Sequence, residues 1–406
     1  MKDYDVNEKR ILLLFKTHQQ KDKMLLLGLG RAARIFGNWF FLGRQDLSSI
    51  CYDGIDWNKL RIDILKHRVD AVISRNPLHN RLLQYINLPI ILFGGEDKNR
   101  PEIPAVVSNT ELTGKMAAEH FLARGFRNFA YSGCEAESFS EQRGESFLRQ
   151  IRKTSYDLFI YDYPSSCDHS WDARFEHLRK WVVSVPKPAA FYACNDCRAK
   201  QILSICRKNG IDVPTQVSVL GTGNDMTLCS LACPQLSSIQ LDLTKAGLKM
   251  AVLLDRLLRG EPMKGQRIYH SPLRVITRES TNIINVEDDV VAKALQYIHS
   301  NISRSIQVTD VASFAGVSRW TLSNRFRSNM GCSVNQQIGK SRVELIKNMI
   351  EDGYPISDIA KLVGFTSEAH ISRLFKRETG FTPREYKKSV EEHLLPDRAL
   401  LRVFLF

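Results

Sequence analysis

The sequence contains no long hydrophobic run, and this absence excludes a protein that spans a membrane by helices. No stretch approaches the roughly 20 consecutive apolar residues that cross a bilayer. The apolar run ILLLF at residues 11–15 is also too short for the hydrophobic region of a secretory signal peptide. We therefore expect a cytoplasmic protein that does not engage a membrane.

Cysteine is sparse, with nine residues, an odd number, scattered over 406 positions. This usage fits a reducing cytosol better than a disulfide framework. Cys194 and Cys197 form a single CxxC that has no companion pair at zinc spacing. We expect two buried thiols beside a ligand cleft rather than a metal or redox site.

The common catalytic signatures are missing as well, since the chain has no HExxH, no P-loop and no GxSxG. GLGRAA at residues 28–33 fits GxGxxA, but a dinucleotide site needs those glycines between a strand and a helix. Here they lie inside residues 24–36, whose pattern predicts the first helix. We therefore predict no enzyme, no catalytic residue, no metal and no cofactor.

Charge is in excess on the positive side, with a formal net charge of +13. From residue 290 to residue 406 there are 17 Lys and Arg against 11 Asp and Glu, so this tail is about twice as positive per residue as the rest. A net positive charge suggests a polyanionic partner. The higher positive charge per residue from 290 to 406 favours nucleic acid as the partner of that region.

Residues 1–280 alternate short apolar runs with helical patterns. The runs lie at residues 11–15, 69–74, 89–94, 128–133, 157–163, 189–194 and 217–221. Helical patterns at 110–125 and 197–210 lie between them, and the second ends at a glycine, as a C-cap would. Apolar strands that alternate with helices predict parallel sheets covered on both faces. Because 280 residues are many for one sheet, we predict two α/β lobes.

The carboxyl-terminal part contains a repeat, since the pattern at 305–331 recurs near 355–380. Each copy has an apolar stripe at helical spacing, then Gly316 or Gly364, then a second stripe. Glycine suits the left-handed turn between steeply crossed helices. Each copy therefore predicts a helix-turn-helix, whose second helix can lie in the DNA major groove.

Residues 334–353, between the two copies, carry a helical stripe of their own. About 17 helical residues span about 25 Å. With the width of the two motifs added, the two second helices would lie about 34 Å apart, which is one turn of DNA. One chain could then contact two successive segments of the major groove.

The repeat and the closing segment GFTSEAHISRLFKRETGFTPREYK at residues 364–387 resemble the AraC/XylS family of bacterial transcription regulators. Members of that family contact bases with the first part of each second helix. The resemblance implies base contacts from Arg319, Trp320, Ser323 and Asn324 in the first motif, and from Glu368, Ala369, His370 and Arg373 in the second. The resemblance also implies phosphate contacts from Arg327, Lys376, Arg377 and Arg384. Such contacts add affinity without sequence information.

The amino-terminal part resembles the LacI-type sensor domain, which is related to periplasmic sugar-binding proteins. The matching segments are TGKMAAEHFLARGFRNFAY (113–131), ACND (193–196), PTQVSVLG (214–221) and LSSIQLD (236–242). The resemblance implies two lobes that close on a small polar ligand, a sugar such as xylose or another monosaccharide.

Five residues are candidates for binding that ligand. Arg143 and Asn195 match positions that grip sugar hydroxyls in such sensors, and Asp22 follows the first strand. The family usually has an Asp where this chain has Gly223, and Asn224 and Asp225 follow it. Either of these two substitutes for the missing carboxylate, or the ligand is a different sugar or no sugar. Arg143 and Asn195 could equally be structural caps.

Together these patterns predict an α/β two-lobed periplasmic-binding-protein-like sensor domain plus an all-α tandem helix-turn-helix domain. We place the sensor at 1–280, a linker at 281–289, the DNA-binding domain at 290–389 and a carboxyl-terminal tail at 390–406. The expected partners are double-stranded DNA at operator half-sites, a small-molecule effector and a second copy in a homodimer, and RNA polymerase is allowed as a further partner. The alternatives are a DNA-associated enzyme that uses the same DNA-binding module, or a regulator whose sensor takes a non-sugar ligand.

Overall fold

A computed structural model gives the structure of the chain. It describes residues 8–14, 20–43, 46–47, 50–51, 54–74, 88–95, 101–134, 138–162, 170–263, 265–283, 286, 288–351, 354–363 and 368–394. The described chain forms two compact units. The first unit contains residues up to Thr110 together with Leu241–Pro272, and the second contains Glu111–Gln240 together with the residues from Leu273 on. Within these ranges, no helix is both long and apolar enough to cross a membrane.

The first unit is built on a parallel sheet. The strands of this sheet are β1 (Lys9–Leu14), β2 (Trp39–Leu42), β5 (Ala71–Ser74), β6 (Ile90–Phe93), β7 (Ala105–Ser108) and β13 (Arg267–His270). A separate, short antiparallel pair consists of β3 (Ile50–Cys51) and β4 (Gly54–Ile55). The order across the sheet is β13-β7-β6-β5-β1-β2. Its helices are α1 (Gln20–Phe36), α2 (Trp57–Lys66) and α8 (Leu243–Leu258).

Both faces of this sheet are covered, as continuous apolar strands predict. Ile11 and Leu13 of β1 pack in one buried cluster with α1 and α8, while Leu12 and Leu14 pack in a second cluster with α2. Alternate side chains of a strand point to opposite faces, so a strand buried on both sides must be apolar at every position. This explains why ILLL carries no polar residue.

Helices α1 and α8 touch backbone to backbone at two glycines. A Cβ added to Gly28 would lie 2.0 Å from the carbonyl oxygen of Thr244, and one added to Gly247 would lie 2.1 Å from that of Leu25. The GLGRAA segment therefore lies inside a helix, as predicted, and Gly28 serves helix packing. Gly30, two residues on, has no heavy atom within 4 Å of its Cβ position.

The second unit begins with another parallel sheet. Its strands are β8 (Asn128–Ser132), β9 (Asp157–Tyr161), β10 (Ala189–Ala193), β11 (Val217–Thr222), β12 (Ser237–Leu241) and β14 (Pro272–Ile276), in the order β14-β12-β11-β10-β8-β9. Strand β9 pairs with β8, β8 with β10, β10 with β11, and β11 with β12, and all four pairs are parallel. Its helices are α3 (Thr110–Leu122), α4 (Ser138–Ile151), α5 (Trp171–Ser184), α6 (Asp196–Lys208) and α7 (Met226–Leu231).

All seven strands predicted from apolar runs are present, with ends within two residues of the prediction. The strands that the sequence did not indicate include three at or next to sheet edges, β2, β13 and β14, each of which has partly exposed positions. An edge strand needs fewer apolar residues because one of its sides meets solvent, and its pattern is correspondingly weak.

The rest of the second unit is helical from α9 on, which confirms the predicted all-α domain. The helices are α9 (Asp289–Ser300), α10 (Val308–Phe314), α11 (Arg319–Met330), α12 (Val334–Glu351), α13 (Ile356–Leu362), α14 (Glu368–Thr379) and α15 (Pro383–Leu394). The turn between α10 and α11 contains Gly316 at φ +71°, the left-handed conformation that the repeat predicted. The matching Gly364 lies outside the described residues, as does most of the predicted tail.

Helix α12 contributes to two separate hydrophobic cores. Val334 and Ile338 pack with the first helix pair, α10 and α11, while Ile346 and Ile350 pack with the second pair, α13 and α14. The two helix-turn-helix motifs are therefore mounted on one continuous rod of 18 residues.

The glycine contact between α1 and α8 gives a matched pair of stability tests. We expect Gly28→Ala to destabilise the protein by about 1–3 kcal/mol, because the added methyl group would overlap a helix backbone that cannot move alone. Gly30→Ala should raise stability by up to about 1 kcal/mol, since Ala favours a helix over Gly and open space surrounds it. Urea unfolding of the full chain measures both. Equal effects of the two substitutions would contradict the packing described.

Candidate nucleic-acid interface and sensor site

The first candidate recognition helix is α11, which begins at Arg319. Ser318 caps it, because its hydroxyl oxygen accepts a hydrogen bond of 3.1 Å from the backbone N–H of Thr321. Leu322 and Phe326 are fully buried one turn apart and fix the inward face. The opposite face is therefore turned away from the core.

Most of the predicted DNA-binding residues of the first motif lie on that outer face, and Arg319 lies at the amino-terminal end of the helix. The structure leaves Arg319, Trp320, Ser323, Asn324 and Arg327 exposed. Trp320 is 75 % exposed, which is unusual for so large an aromatic side chain. Its ring is therefore accessible to a binding partner.

The second recognition helix, α14, repeats this arrangement. Ile371 and Phe375 are buried, while the predicted residues Glu368, Ala369, His370, Arg373, Lys376 and Arg377 are exposed. Arg377 forms a 2.9 Å ion pair with Glu378 that is itself partly exposed. Arg384 is exposed in the first turn of α15.

A cationic groove that the sequence did not indicate lies between the two motifs. It has a volume of about 530 Å³, and its polar lining consists of Gln307, Asn335, Arg342, His370, Arg373 and Arg377. Arg342 projects from the middle of α12 and donates a 2.7 Å hydrogen bond to the carbonyl of Arg304. Three guanidinium groups beside the recognition helices produce a positive potential suited to a phosphate backbone.

The sensor candidates of the second unit lie where strands β10 and β11 end and the next helices begin. Asp196, which the sequence did not indicate, is the buried centre of this site. Its carboxylate accepts hydrogen bonds of 2.5 Å from the Ser238 hydroxyl and 2.8 Å from the backbone N–H of Asp225. Burial raises the pKa of Asp196 to about 6, against the effect of these two donors.

Two glycines of β11 and its turn leave room for that carboxylate. A Cβ on Gly221 would lie 2.3 Å from Oδ1 of Asp196, and one on Gly223 would lie 3.2 Å from Oδ2. Gly223 also has φ +126°, which side chains rarely adopt. The Asp that the sensor family usually has at position 223 would thus crowd the carboxylate of Asp196.

Three of the predicted ligand residues are engaged within the protein. The side-chain oxygen of Asn195 caps α6 by accepting from the N–H of Arg198 at 2.8 Å, and that of Asp225 caps α7 by accepting from Leu228 at 3.1 Å. Asn224, at φ +52°, accepts a 2.9 Å hydrogen bond from the guanidinium of Arg278. The alternative interpretation of Asn195 as a structural cap therefore describes its oxygen, while its amide nitrogen points to Cys134 Sγ at 3.5 Å.

Arg143 and Asp22 are the other two predicted ligand residues. Arg143 is buried in α4, donates a 2.7 Å hydrogen bond to the carbonyl of Cys194 and lies over the ring of Phe139. It thus shares the strand-end site with Asn195. Asp22 is buried in the first turn of α1 and belongs to the first unit.

The prediction of two buried thiols in the CxxC is wrong for Cys197. Cys194 is fully buried, but Cys197 is exposed because it lies in the first turn of α6 on the side away from the core. Cys194 instead faces Cys134, which follows β8, with 3.3 Å between the two sulfur atoms.

The sensor part and the DNA-binding helices are in direct contact inside the second unit. Arg274 of β14 donates a 2.7 Å hydrogen bond to the hydroxyl of Tyr386 in α15. The side-chain amide of Asn348 in α12 donates to the carbonyl of Thr277. The guanidinium of Arg124 is partly buried and donates a hydrogen bond to the carbonyl of Thr281. Burial lowers the pKa of Arg124 to about 10, against the opposite charge of Glu344 in α12, which raises it.

Comparisons with known proteins find two domain families in this chain. Residues 118–281 match a periplasmic binding protein-like domain family, and residues 311–389 match a helix-turn-helix domain family. The xylose operon regulatory protein of Haemophilus influenzae is 26% identical over 385 residues, which are 93% of this chain and 98% of that protein. The probable transcription factor PqrA of Proteus vulgaris is 30% identical over 113 residues, which are 27% of this chain and 90% of that protein.

A solved structure shares the fold over nearly the full length. The structure of the xylose-binding transcription activator xylR has a TM-score of 0.68 and 24% identity, and the match covers 95% of this chain and 99% of that one. A ligand-sensing domain of this type joined to paired helix-turn-helix motifs makes a ligand-controlled, DNA-binding transcription regulator. The chain therefore belongs to the AraC/XylS family of transcription regulators and carries a periplasmic-binding-protein-like sensor domain.

Proposed function

We propose that α11 and α14 bind two successive major-groove segments of an operator, and that a monosaccharide such as xylose, held by the sensor, controls this binding. The observation that carries the DNA part is the mounting of two exposed recognition faces on the single helix α12. The 18 residues of α12 span about 27 Å, close to one turn of DNA once the motif widths are added.

Base contacts on this proposal come from the first part of each recognition helix. Arg319 and Arg373 suit the O6 and N7 acceptors of guanine, Asn324 suits adenine, and Glu368 can accept from cytosine. Trp320 and Ala369 offer apolar contact to a thymine methyl group, and Ser323 and His370 complete the two sets. Arg327, Lys376, Arg377 and Arg384 contact phosphate, and the cationic groove extends this role to Arg342.

Two kinds of arginine should behave differently when they are removed. We expect Arg319→Ala or Arg373→Ala to cost about 1–3 kcal/mol of operator binding and to relax specificity at one base position. Arg342→Ala and Arg384→Ala should weaken all DNA sequences alike and reduce the slope of log affinity against log salt by about 1 each. Binding to an operator selected from random DNA, measured with single-base variants at several salt concentrations, separates the two classes. If all four substitutions weakened every sequence equally, the base-contact assignment would be wrong.

The sensor on this proposal binds its ligand at the strand-end edge of the second unit, where Arg143, Asn195, Asn224 and Asp225 lie. Asp22, which belongs to the first unit, stays a separate candidate. A buried guanidinium, an amide and fixed strand-end backbone groups are what polyhydroxyl ligands require. The relatives named for xylose support a pentose, and the open ligand alternatives are another monosaccharide and a non-sugar effector.

Asn195 permits a sharp test of this site. Asn195→Asp keeps the oxygen that caps α6 but removes the only N–H donors of the side chain. We expect the variant to melt close to the native protein without sugar, while the affinity for an identified sugar falls by about tenfold or more, because a hydroxyl loses its donor. A thermal-shift screen of pentoses, hexoses and uronic acids identifies the sugar, and titration calorimetry measures both affinities. Unchanged sugar affinity in Asn195→Asp would remove Asn195 from the site.

Control of DNA binding requires contacts between sensor and DNA-binding helices that differ in strength between two states. Residues 274–278 form a route of this kind between the strand-end loop and the DNA-binding helices. Asn224 of the loop binds Arg278, while the neighbouring Arg274 and Thr277 contact α15 and α12. Coupling of this kind is reciprocal, so operator DNA must change sugar affinity by the same factor as sugar changes operator affinity.

Tyr386→Phe tests this route with a small change. The substitution removes the hydroxyl that accepts from Arg274 but keeps the ring that packs on Phe375. We expect the factor that links sugar and operator to change by about fivefold, the equivalent of one hydrogen bond of about 1 kcal/mol, with the fold intact. Tyr156→Phe, an exposed tyrosine of the sensor, is the matched control. An unchanged factor in Tyr386→Phe would place the coupling elsewhere.

The proposal also places the domain boundaries at 280, 289 and 389. It further includes a homodimer on repeated half-sites, a cytoplasmic location beside the DNA, and contact with RNA polymerase. Two subunits on adjacent half-sites raise the effective concentration of each other, and a mass measurement on the DNA complex tests this. The competing hypothesis is a DNA-associated enzyme, and it predicts chemically altered sugar after incubation with the protein.

A further inference from the structure

Cys134 and Cys194 meet at the carboxyl-terminal edge of the second sheet. Strands β8 and β10 pair in parallel with Ser132 opposite Ala193, so the residues that follow them emerge side by side. The backbone N–H of Cys194 bonds the carbonyl of Ser132 at 3.0 Å, and the N–H of Cys134 bonds the hydroxyl of Ser140 at 2.8 Å. Both backbones are therefore fixed, and the two sulfur atoms lie 3.3 Å apart.

The two thiols are chemically unlike. A hydrogen bond from the Cys194 thiol lowers the pKa of Cys134, and the charge of Arg198 and the amide of Asn195 act in the same direction, against burial. The same contact, together with burial, raises the pKa of Cys194. Cys134 is partly exposed and Cys194 is fully buried. The pair thus offers an accessible thiolate backed by a protonated partner.

The other described cysteines lack this combination, including Cys332, which is partly buried against the first helix pair. Cys206 and Cys229 are buried in the hydrophobic core, and burial raises the pKa of Cys206 to about 12. Cys197 and Cys233 are exposed on the surface. They provide internal controls, since reaction by exposure alone would favour them over Cys134.

We propose that Cys134 and Cys194 form a dithiol site that a hydroperoxide oxidises to an intramolecular disulfide. The Cys134 thiolate attacks the terminal oxygen of the peroxide, the O–O bond breaks, and the departing alkoxide or hydroxide takes up a proton, which leaves a sulfenic acid. The Cys194 sulfur then attacks Cys134, the S–O bond breaks, and hydroxide leaves as water with the proton of Cys194. In sum, two thiols are oxidised by two electrons, and one peroxide becomes one alcohol or water and one further water.

The geometry favours closure of the disulfide over further oxidation of Cys134. The sulfurs need to approach from 3.3 Å to about 2.05 Å, which side-chain rotation between paired strand ends can supply. The disulfide would remove the thiolate that receives the Asn195 amide and would lie beside the carbonyl that Arg143 binds. Oxidation would therefore alter the same edge that we assign to the effector.

The test treats the full-length protein with a small excess of hydrogen peroxide, blocks free thiols with iodoacetamide and maps the peptides by mass spectrometry. We expect a peptide linked through Cys134 and Cys194 in the native protein and in Cys197→Ser, and its loss on treatment with dithiothreitol. Cys134→Ser should leave Cys194 reduced. Cys194→Ala should stop at a sulfenic acid on Cys134 that dimedone traps. Arg198→Gln should slow the first step severalfold, because the thiolate loses its cation.

The proposal is overturned if Cys194 links to Cys197, if the disulfide joins two chains, or if Cys134 stays free after Cys197 and Cys233 have reacted. It is also overturned if Cys134→Ser, folded by circular dichroism, still yields an oxidised Cys194. No sugar is present in these reactions, so their outcome is independent of the proposed effector.

Discussion

The DNA-binding half depends on one constraint, the division of helix α12 between two hydrophobic cores. Val334 and Ile338 belong to the first core, and Val343, Ile346 and Ile350 belong to the second. A helix keeps its length and direction because every interior backbone group is already hydrogen-bonded along it. Neither motif can therefore shift along the rod without exposing its own core. The spacing of the recognition helices becomes a property of one helix rather than of a flexible linker.

Residues 274–278, at the end of β14 and directly after it, connect the sensor to these helices. Within five residues this segment supplies Arg274 to Tyr386, the Thr277 carbonyl to Asn348, and Arg278 to Asn224. The first two contacts reach the DNA-binding helices and the third reaches the strand-end loop of the sensor. A conformational change in that loop would therefore be transmitted to the DNA-binding domain through polar contacts. Such contacts are directional, so they discriminate between two arrangements better than apolar packing does.

The strand-end edge concentrates chemistry because parallel strands deliver backbone and side chains to one side of the sheet. Asp196, Arg143, Asn195 and the Cys134–Cys194 pair all lie there. Arg143 bonds the carbonyl of Cys194, Asn195 bonds Cys134 Sγ, and Asp196 accepts from Ser238. At this edge, side chains that cap helices are also the proposed ligand contacts. The oxygen of Asn195 caps the helix and its nitrogen points to Cys134 Sγ, so one side chain combines a structural and a proposed functional role.

The sequence by itself determined the elements, since the signals for them are local. Buried strands need unbroken apolar runs, and a repeated helix–glycine–helix pattern predicted both motifs, including the left-handed Gly316 and the outward face of Arg319 and Trp320. Only the tertiary structure decided which distant residues meet. Arg342 joins the DNA face, Asp196 fills the space that Gly223 leaves, and Cys194 pairs with Cys134 rather than with Cys197. Cys134 and Cys194 are 60 residues apart in the chain, and no periodicity encodes such a pair, because the register between two strands brings them together.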